Sequence, residues 1–263
     1  MDILIISSLT PFQSANYGKR IIDIFNNAGF NVDYLTKYKF DGMTENMIAV
    51  YDEVEPVIQN ITVNAKSNLK YYLFARFPFV REYFERKNIS QSVIPLREEE
   101  PEVDAQLLCD KITKHYDVVL VLFWQYMLTT KTLKMIYDKL HVPILLNTVD
   151  MYPMTGGCYY FNDCRNYRNE CKECPAASLF KKQDIPHQNF LYKKQIYQSI
   201  NCVYFCNKWM REHILESGII QEKTVSRVCK PAEARSAPEY DGRDSHSRGY
   251  GHIKSRSQGT QAR

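Results

Sequence analysis

The sequence predicts an α/β protein: a parallel sheet with helices on both of its faces, followed by a disordered tail. Three observations carry this. Short apolar runs such as Ile3–Ile6, Asp117–Phe123 and Cys202–Cys206 are nearly continuous, which indicates strands buried on both faces. Segments of helical periodicity alternate with these runs. Beyond Ser226 the composition switches to one that cannot build a core.

The elements follow in order. Ile3–Ser7 reads as the first strand, and Pro11, Ser14, Asn16 and Gly18 mark the turn after it. Ile21, Ile22, Ile24 and Phe25 fall at helical spacing until Asn26, Asn27 and Gly29 end the helix, and Asn31–Leu35 is the next strand. This strand–loop–helix–strand opening is that of a Rossmann-like, doubly wound unit. A second set comprises a helix over 102–115, the strand Asp117–Phe123, a helix over 129–140 and the strand Val142–Leu146. A third comprises a helix over 189–200, the strand Cys202–Cys206 and a helix over 208–216 stopped by Gly218. Residues 1–225 are therefore expected to form one domain with a cysteine-rich loop over 150–187.

Composition narrows the function classes. The 263 residues carry a net charge of +4, with 34 Lys/Arg against 30 Asp/Glu. Residues 226–263 hold eight of the basic and four of the acidic side chains, so the body is electrically balanced. A balanced body lacks the clustered basicity of a nucleic-acid footprint. No apolar run approaches the roughly 18 residues of a membrane span, and the N-terminus lacks the basic, long apolar pattern of a secretory signal. The expected compartment is the cytoplasm, where metal ligation or free thiols take precedence over disulfides. The tail has no Leu, Phe, Met or Trp and four of the ten glycines. It reads as disordered, either as a non-native end or as an Arg/Ser-rich segment that touches anionic surfaces; the non-native end is the favoured reading.

Residues 66–87 interleave six basic residues with Tyr71, Tyr72, Phe74, Phe77, Phe79, Tyr83 and Phe84, and Pro78 divides them into two short amphipathic pieces. Two readings stand: aromatics packed on the sheet, or a peripheral contact with the inner face of a membrane.

The long segment between Val142–Leu146 and the helix over 189–200 holds Cys158, Cys164, Cys171 and Cys174, spaced C-x5-C-x6-C-x2-C. Four thiols on one loop can wrap a tetrahedral zinc ion, and the Cys171/Cys174 pair has knuckle spacing. Reduced thiols packed as small hydrophobes, or disulfides in an oxidising compartment, are the alternatives. Cys109, Cys202 and Cys206 lie on apolar faces and read as buried structural thiols. No Ser/His or Cys/His arrangement supports a hydrolase triad.

The run Asp150-Met-Tyr-Pro-Met-Thr-Gly-Gly-Cys158-Tyr-Tyr, followed by Cys164 and Cys171-x-x-Cys174-Pro175, resembles the loop of family-4-like glycosyltransferases that build bacterial cell-surface polysaccharides. Trp124 after a buried strand, Asn207-Lys208-Trp209-Met210 at the start of a helix, and Gly18 at the first strand-to-helix turn are further points of similarity. The resemblance covers about residues 1–225. It implies the N-terminal, acceptor-side half of a GT-B fold, and retaining transfer of a sugar from a nucleotide-sugar donor to a lipid-linked or saccharide acceptor, with no metal in the chemistry. Three departures stand beside it. Val149 occupies a position usually held by His, Gly18 is alone where the family has a glycine-rich turn, and nothing after Val225 resembles a donor domain. The expectation is therefore an acceptor-binding half without turnover of its own. A non-catalytic, metal-stabilised α/β module that binds a partner is the alternative.

Individual positions follow. Asp150 is the candidate catalytic residue, orienting an acceptor hydroxyl or acting as a local base, with a loop cap on the following backbone as the competing role. Thr155, Gly156 and Gly157 form either a turn that aims N–H groups at a ligand or a plain turn before the cysteines. Lys19 meets a phosphate or sugar at a helix start, or is an ordinary surface lysine. Trp124 stacks on a sugar or fills core.

Overall fold

The computed structural model describes residues 1–54, 93–94, 96–161, 163–175, 184–220 and 225–227. Its strands are β1 (Asp2–Ile6), β2 (Asn31–Lys39), β3 (Met47–Val54), β4 (Val118–Val121), β5 (Ile144–Asn147), β6 (Cys202–Cys206) and β7 (Val225–Arg227). The helices are α1 (Gln13–Asn27), α2 (Ala105–Lys111), α3 (Thr130–Leu140), α4 (Ile185–Ser199) and α5 (Lys208–Ser217). All strand pairs are parallel, in the order β3-β2-β1-β4-β5-β6-β7. Chain direction across the sheet reverses between β1 and β4, the switch point at which such sheets open a crevice above their strand ends. The expected α/β architecture is present.

Alternation along β1 shows why the sheet is covered twice. Ile3 and Ile5 point to one face, where they meet Ile21, Ile22 and Phe25 of α1. Leu4 and Ile6 point to the other, joining Leu108, Leu133, Ile136, Phe190 and Ile214 from the remaining four helices in the larger core. A strand whose side chains are all apolar has no solvent face to offer, so both layers are required.

Several boundaries differ from the sequence expectation, each for a local reason. Strand β3 was not anticipated, because Met47–Val54 ends in a polar stretch that leaves Asp52, Glu53 and Val54 exposed at the sheet edge. The expected helix over 102–115 contracts to α2, because the Asp104 carboxylate accepts from the Gln106 and Leu107 N–H groups and fixes the start there. Helix α4 begins earlier than expected, with Pro186 in its first turn, where a missing N–H costs nothing. Gly218 closes α5 in the left-handed conformation at φ 65°, as the sequence indicated. The expected boundary at 225 falls inside β7, which pairs Val225–Arg227 with Tyr204–Cys206. Met1–Val228 form one compact unit; the expected tail beyond it lies outside the described residues, as does the basic–aromatic stretch 66–87.

Among the described residues, no helix is long and apolar enough to cross a membrane.

Candidate functional site

Loops leaving the carboxyl ends of β1, β4 and β5 converge at the switch point. Ser8 N–H donates to the Phe123 carbonyl at 2.7 Å, so the first two loops touch directly. Asn147 Nδ2 donates to the Tyr17 hydroxyl at 2.5 Å, and the Tyr17 ring packs edge-on to Phe123 at 5.8 Å. Helix α1 is kinked near its start, where three consecutive residues, Ser14, Ala15 and Asn16, are left-handed at φ 49°, 57° and 59°. Left-handed backbone costs a residue with a Cβ roughly 1–2 kcal/mol. Bonds from Thr10 N–H to Gln13 Oε1 (2.7 Å) and from Lys19 N–H to the Pro11 carbonyl (2.9 Å) hold the turn.

Asp150, just past β5, is the chemically distinctive group of this edge. Its Oδ1 accepts from Tyr152 N–H at 2.9 Å, and its Oδ2 is held by the Gln125 side-chain amide. Burial raises its carboxyl to about 6, against the pull of the Tyr152 N–H, the Lys193 charge and Gln125. The loop-cap role is therefore real. It coexists with a carboxyl that changes protonation near neutrality, the property a general base or acid needs.

Beneath Asp150 lies a polar network that the sequence did not reveal. Lys193 of α4 has no solvent exposure. Its ammonium donates to the Tyr152 carbonyl at 2.6 Å and the Thr155 carbonyl at 2.9 Å, and lies 3.1 Å from Glu98 Oε1. It also sits 3.7 Å from the centre of the Tyr152 ring. Glu98 Oε1 accepts from the Tyr152 hydroxyl at 2.8 Å, and Oε2 accepts the Thr130 N–H and hydroxyl at 2.8 Å each, at the first turn of α3. Burial pushes the Lys193 ammonium down, and Glu98 opposes that shift.

The other sequence candidates take structural places. Trp124 is buried and meets the Tyr152 ring edge-on at 5.3 Å, so it fills core. Gly18 allows close packing: a Cβ there would stand 2.7 Å from the Tyr34 hydroxyl oxygen and 2.9 Å from Pro11 Cα. Lys19 is half exposed and pairs with Asp23 at 2.6 Å, one helical turn on. Thr155 is buried, its hydroxyl donating to the Cys158 carbonyl at 2.6 Å. Gly156 N–H points to Cys171 Sγ at 3.1 Å and Gly157 N–H to Thr155 Oγ1 at 3.4 Å, so neither is turned toward a ligand. Gly156 also lies hard against α4, where a Cβ would sit 2.1 Å from the Pro186 carbonyl oxygen.

Cys158, Cys164, Cys171 and Cys174 are not joined in disulfides. They are near enough for their charges to interact: burial first, then the neighbouring thiols, raises Cys158, and Cys171 is pushed up to about 12. Cys171 and Cys164 each accept a backbone N–H, from Gly156 at 3.1 Å and Asn166 at 3.5 Å. Glu170, Cys171 and Glu173 adopt left-handed φ of 54°, 55° and 52°. Among the described residues, no group of three or more His, Cys, Asp or Glu side chains is placed to hold a metal ion. The loop is tied to α5 by Phe161 and Tyr167, which stack on His213 at 5.3 and 6.0 Å, and by Arg168 pairing with Glu216 at 2.7 Å.

A polar cavity of about 360 Å³ lies at the opposite, amino edge of the sheet, lined by Asp2, Asn31, Asp33, Lys114 and Tyr116 among others. Its Asp33 carboxylate is taken up by Lys114 at 2.9 Å and the Tyr116 hydroxyl at 2.6 Å.

Fold and site together define a parallel α/β protein with a buried carboxyl, raised by its desolvation, at the carboxyl edge of its sheet. No protein-family model and no curated protein matches the chain.

Proposed function

We propose that this chain is the acceptor-side half of a retaining, nucleotide-sugar-dependent glycosyltransferase of cell-surface polysaccharide synthesis. The observation that carries the reading is Asp150. It lies in the loop whose residues resemble the glycosyltransferase loop, at the sheet edge where α/β proteins receive ligands, with its carboxyl raised to about 6. A carboxyl there takes a hydrogen bond from an acceptor hydroxyl and holds it in line for transfer, the positioning on which such a reaction depends. Stabilising the departing diphosphate needs cationic side chains and helix dipoles, a task this reading gives to the donor side.

A structural zinc on Cys158, Cys164, Cys171 and Cys174 belongs to the same proposal. It is supported by four cysteines outside any disulfide and within electrostatic reach of one another, and by the N–H groups aimed at two of the sulfurs. The ion requires them to draw closer together than they stand, and to lose their protons on binding.

Equilibrium binding of lipid-linked and free oligosaccharides to the full chain tests the reading. Saccharide binding that weakens about tenfold or more in Asp150→Asn is the expected result, the scale of one lost hydrogen bond to a charged group. Binding indifferent to that substitution, or no saccharide binding at all, overturns it.

A further inference from the structure

A buried ion pair is a poor stability device, because apolar residues of the same shape often do as well or better. Lys193 and Glu98 are both removed from solvent, so their pairing calls for another explanation. The arrangement around them supplies one. Two buried carboxyls, Glu98 and Asp150, share this one ammonium, and only Glu98 pairs with it directly. All three protons of the ammonium are used, by Glu98 Oε1 and the carbonyls of Tyr152 and Thr155. Both polar groups of the Tyr152 backbone are thus engaged: its N–H by Asp150 and its carbonyl by Lys193.

We infer that Lys193 is a positioning residue for Asp150: anchored on Glu98, it clamps the Tyr152 backbone against the Asp150 carboxyl and places a fixed positive charge behind it. This rests on the proposed role of Asp150. Burial raises the Asp150 carboxyl, and the nearby ammonium limits the cost of its ionised form. The groups facing it are Gln125 from the β4–α3 loop, Tyr152 from its own turn, Tyr159 from the cysteine loop and Lys193 from α4, with Glu98 behind the lysine. Of these, Lys193 is the cation.

The test reads the Asp150 side-chain carboxyl by carbon NMR on the full chain, with the resonance assigned through Asp150→Asn. In the unaltered protein the Lys193 Nζ resonance should move with pH at the same midpoint as the Asp150 carboxyl. In Lys193→Met/Glu98→Gln, which removes both charges and leaves no unpaired ion, the Asp150 midpoint should rise by about one unit. Glu98→Gln alone should not raise it. An Nζ resonance blind to Asp150, or an unchanged midpoint in the double variant, overturns the inference. A merely structural lysine would move neither. No saccharide is present, so the outcome stands apart from that of the binding experiment.

Discussion

The Lys193 ammonium lies 3.1 Å from Glu98 Oε1, with neither side chain reaching solvent. It joins α4 to the segment before α2 and, through the Tyr152 and Thr155 carbonyls, to the loop that follows β5. Lys193→Met leaves Glu98 buried without its cation, which costs about 3–5 kcal/mol. Adding Glu98→Gln should recover most of that loss. Urea unfolding of the two single variants and the double variant measures the coupling, and additive losses would show that the pair does not act as a unit.

The site's pH dependence has a defined sign. Asp150 is raised from its ordinary value of 3.8 to about 6 in the fold, so the folded chain holds this proton where the unfolded chain has lost it. Its stabilising contribution is full below pH 4 and disappears as pH rises through 6. Two units correspond to about 3 kcal/mol. The stability difference between the unaltered chain and Asp150→Asn, followed from pH 4 to 7.5, should therefore shift in favour of the Asn variant by an amount of this order. A flat difference would show that Asp150 titrates normally.

Gly156→Ala should be among the most damaging small substitutions. The added methyl would stand 2.1 Å from the Pro186 carbonyl oxygen, and backbone at a helix start cannot step aside as a flexible side chain can. Overpacking of this kind costs about 1–3 kcal/mol or more. Gly18→Ala meets both the Tyr34 hydroxyl and Pro11 Cα and should cost a similar amount. Thermal melts of both variants check this, and an unchanged midpoint for Gly156→Ala would contradict the packing of the loop on α4.

Elemental analysis of the purified chain should find about one zinc per molecule, reduced to background in a Cys171→Ser/Cys174→Ser variant, as four-sulfur chemistry demands. Four titratable thiols and no metal would leave the cysteine loop held by packing, the stacking of Phe161 and Tyr167 on His213 and the Arg168–Glu216 pair.

Much of the layer architecture could be read in the sequence, and little of the site's interior. Strands such as Asp2–Ile6 were legible because an apolar run buried on both faces leaves no other placement. Met47–Val54 was not, since an edge strand exposes one side and tolerates Asp52 and Glu53. Asp150 stood out by its place in a distinctive loop, but the groups that offset its burial, Gln125 and Lys193, come from other parts of the chain. Lys193 left one readable trace: it shares a helical stripe with the buried Asn189 and Tyr197, where a lysine needs a partner. Glu98 stands in the acidic run Glu98-Glu99-Glu100, which carries no sign of burial, and only folding brings it to Lys193. Trp124 lay where a ligand contact was plausible, but the arrival of Tyr152 over it fills that space with protein.

Amide-shift mapping of the full chain with an oligosaccharide acceptor tests the central claim most directly. Perturbations centred on 122–126 and 147–152, reduced in Asp150→Asn, are the predicted result. Perturbations confined to the amino edge, around Asp33 and Tyr116, would place recognition on the other side of the sheet and contradict the assignment of this site.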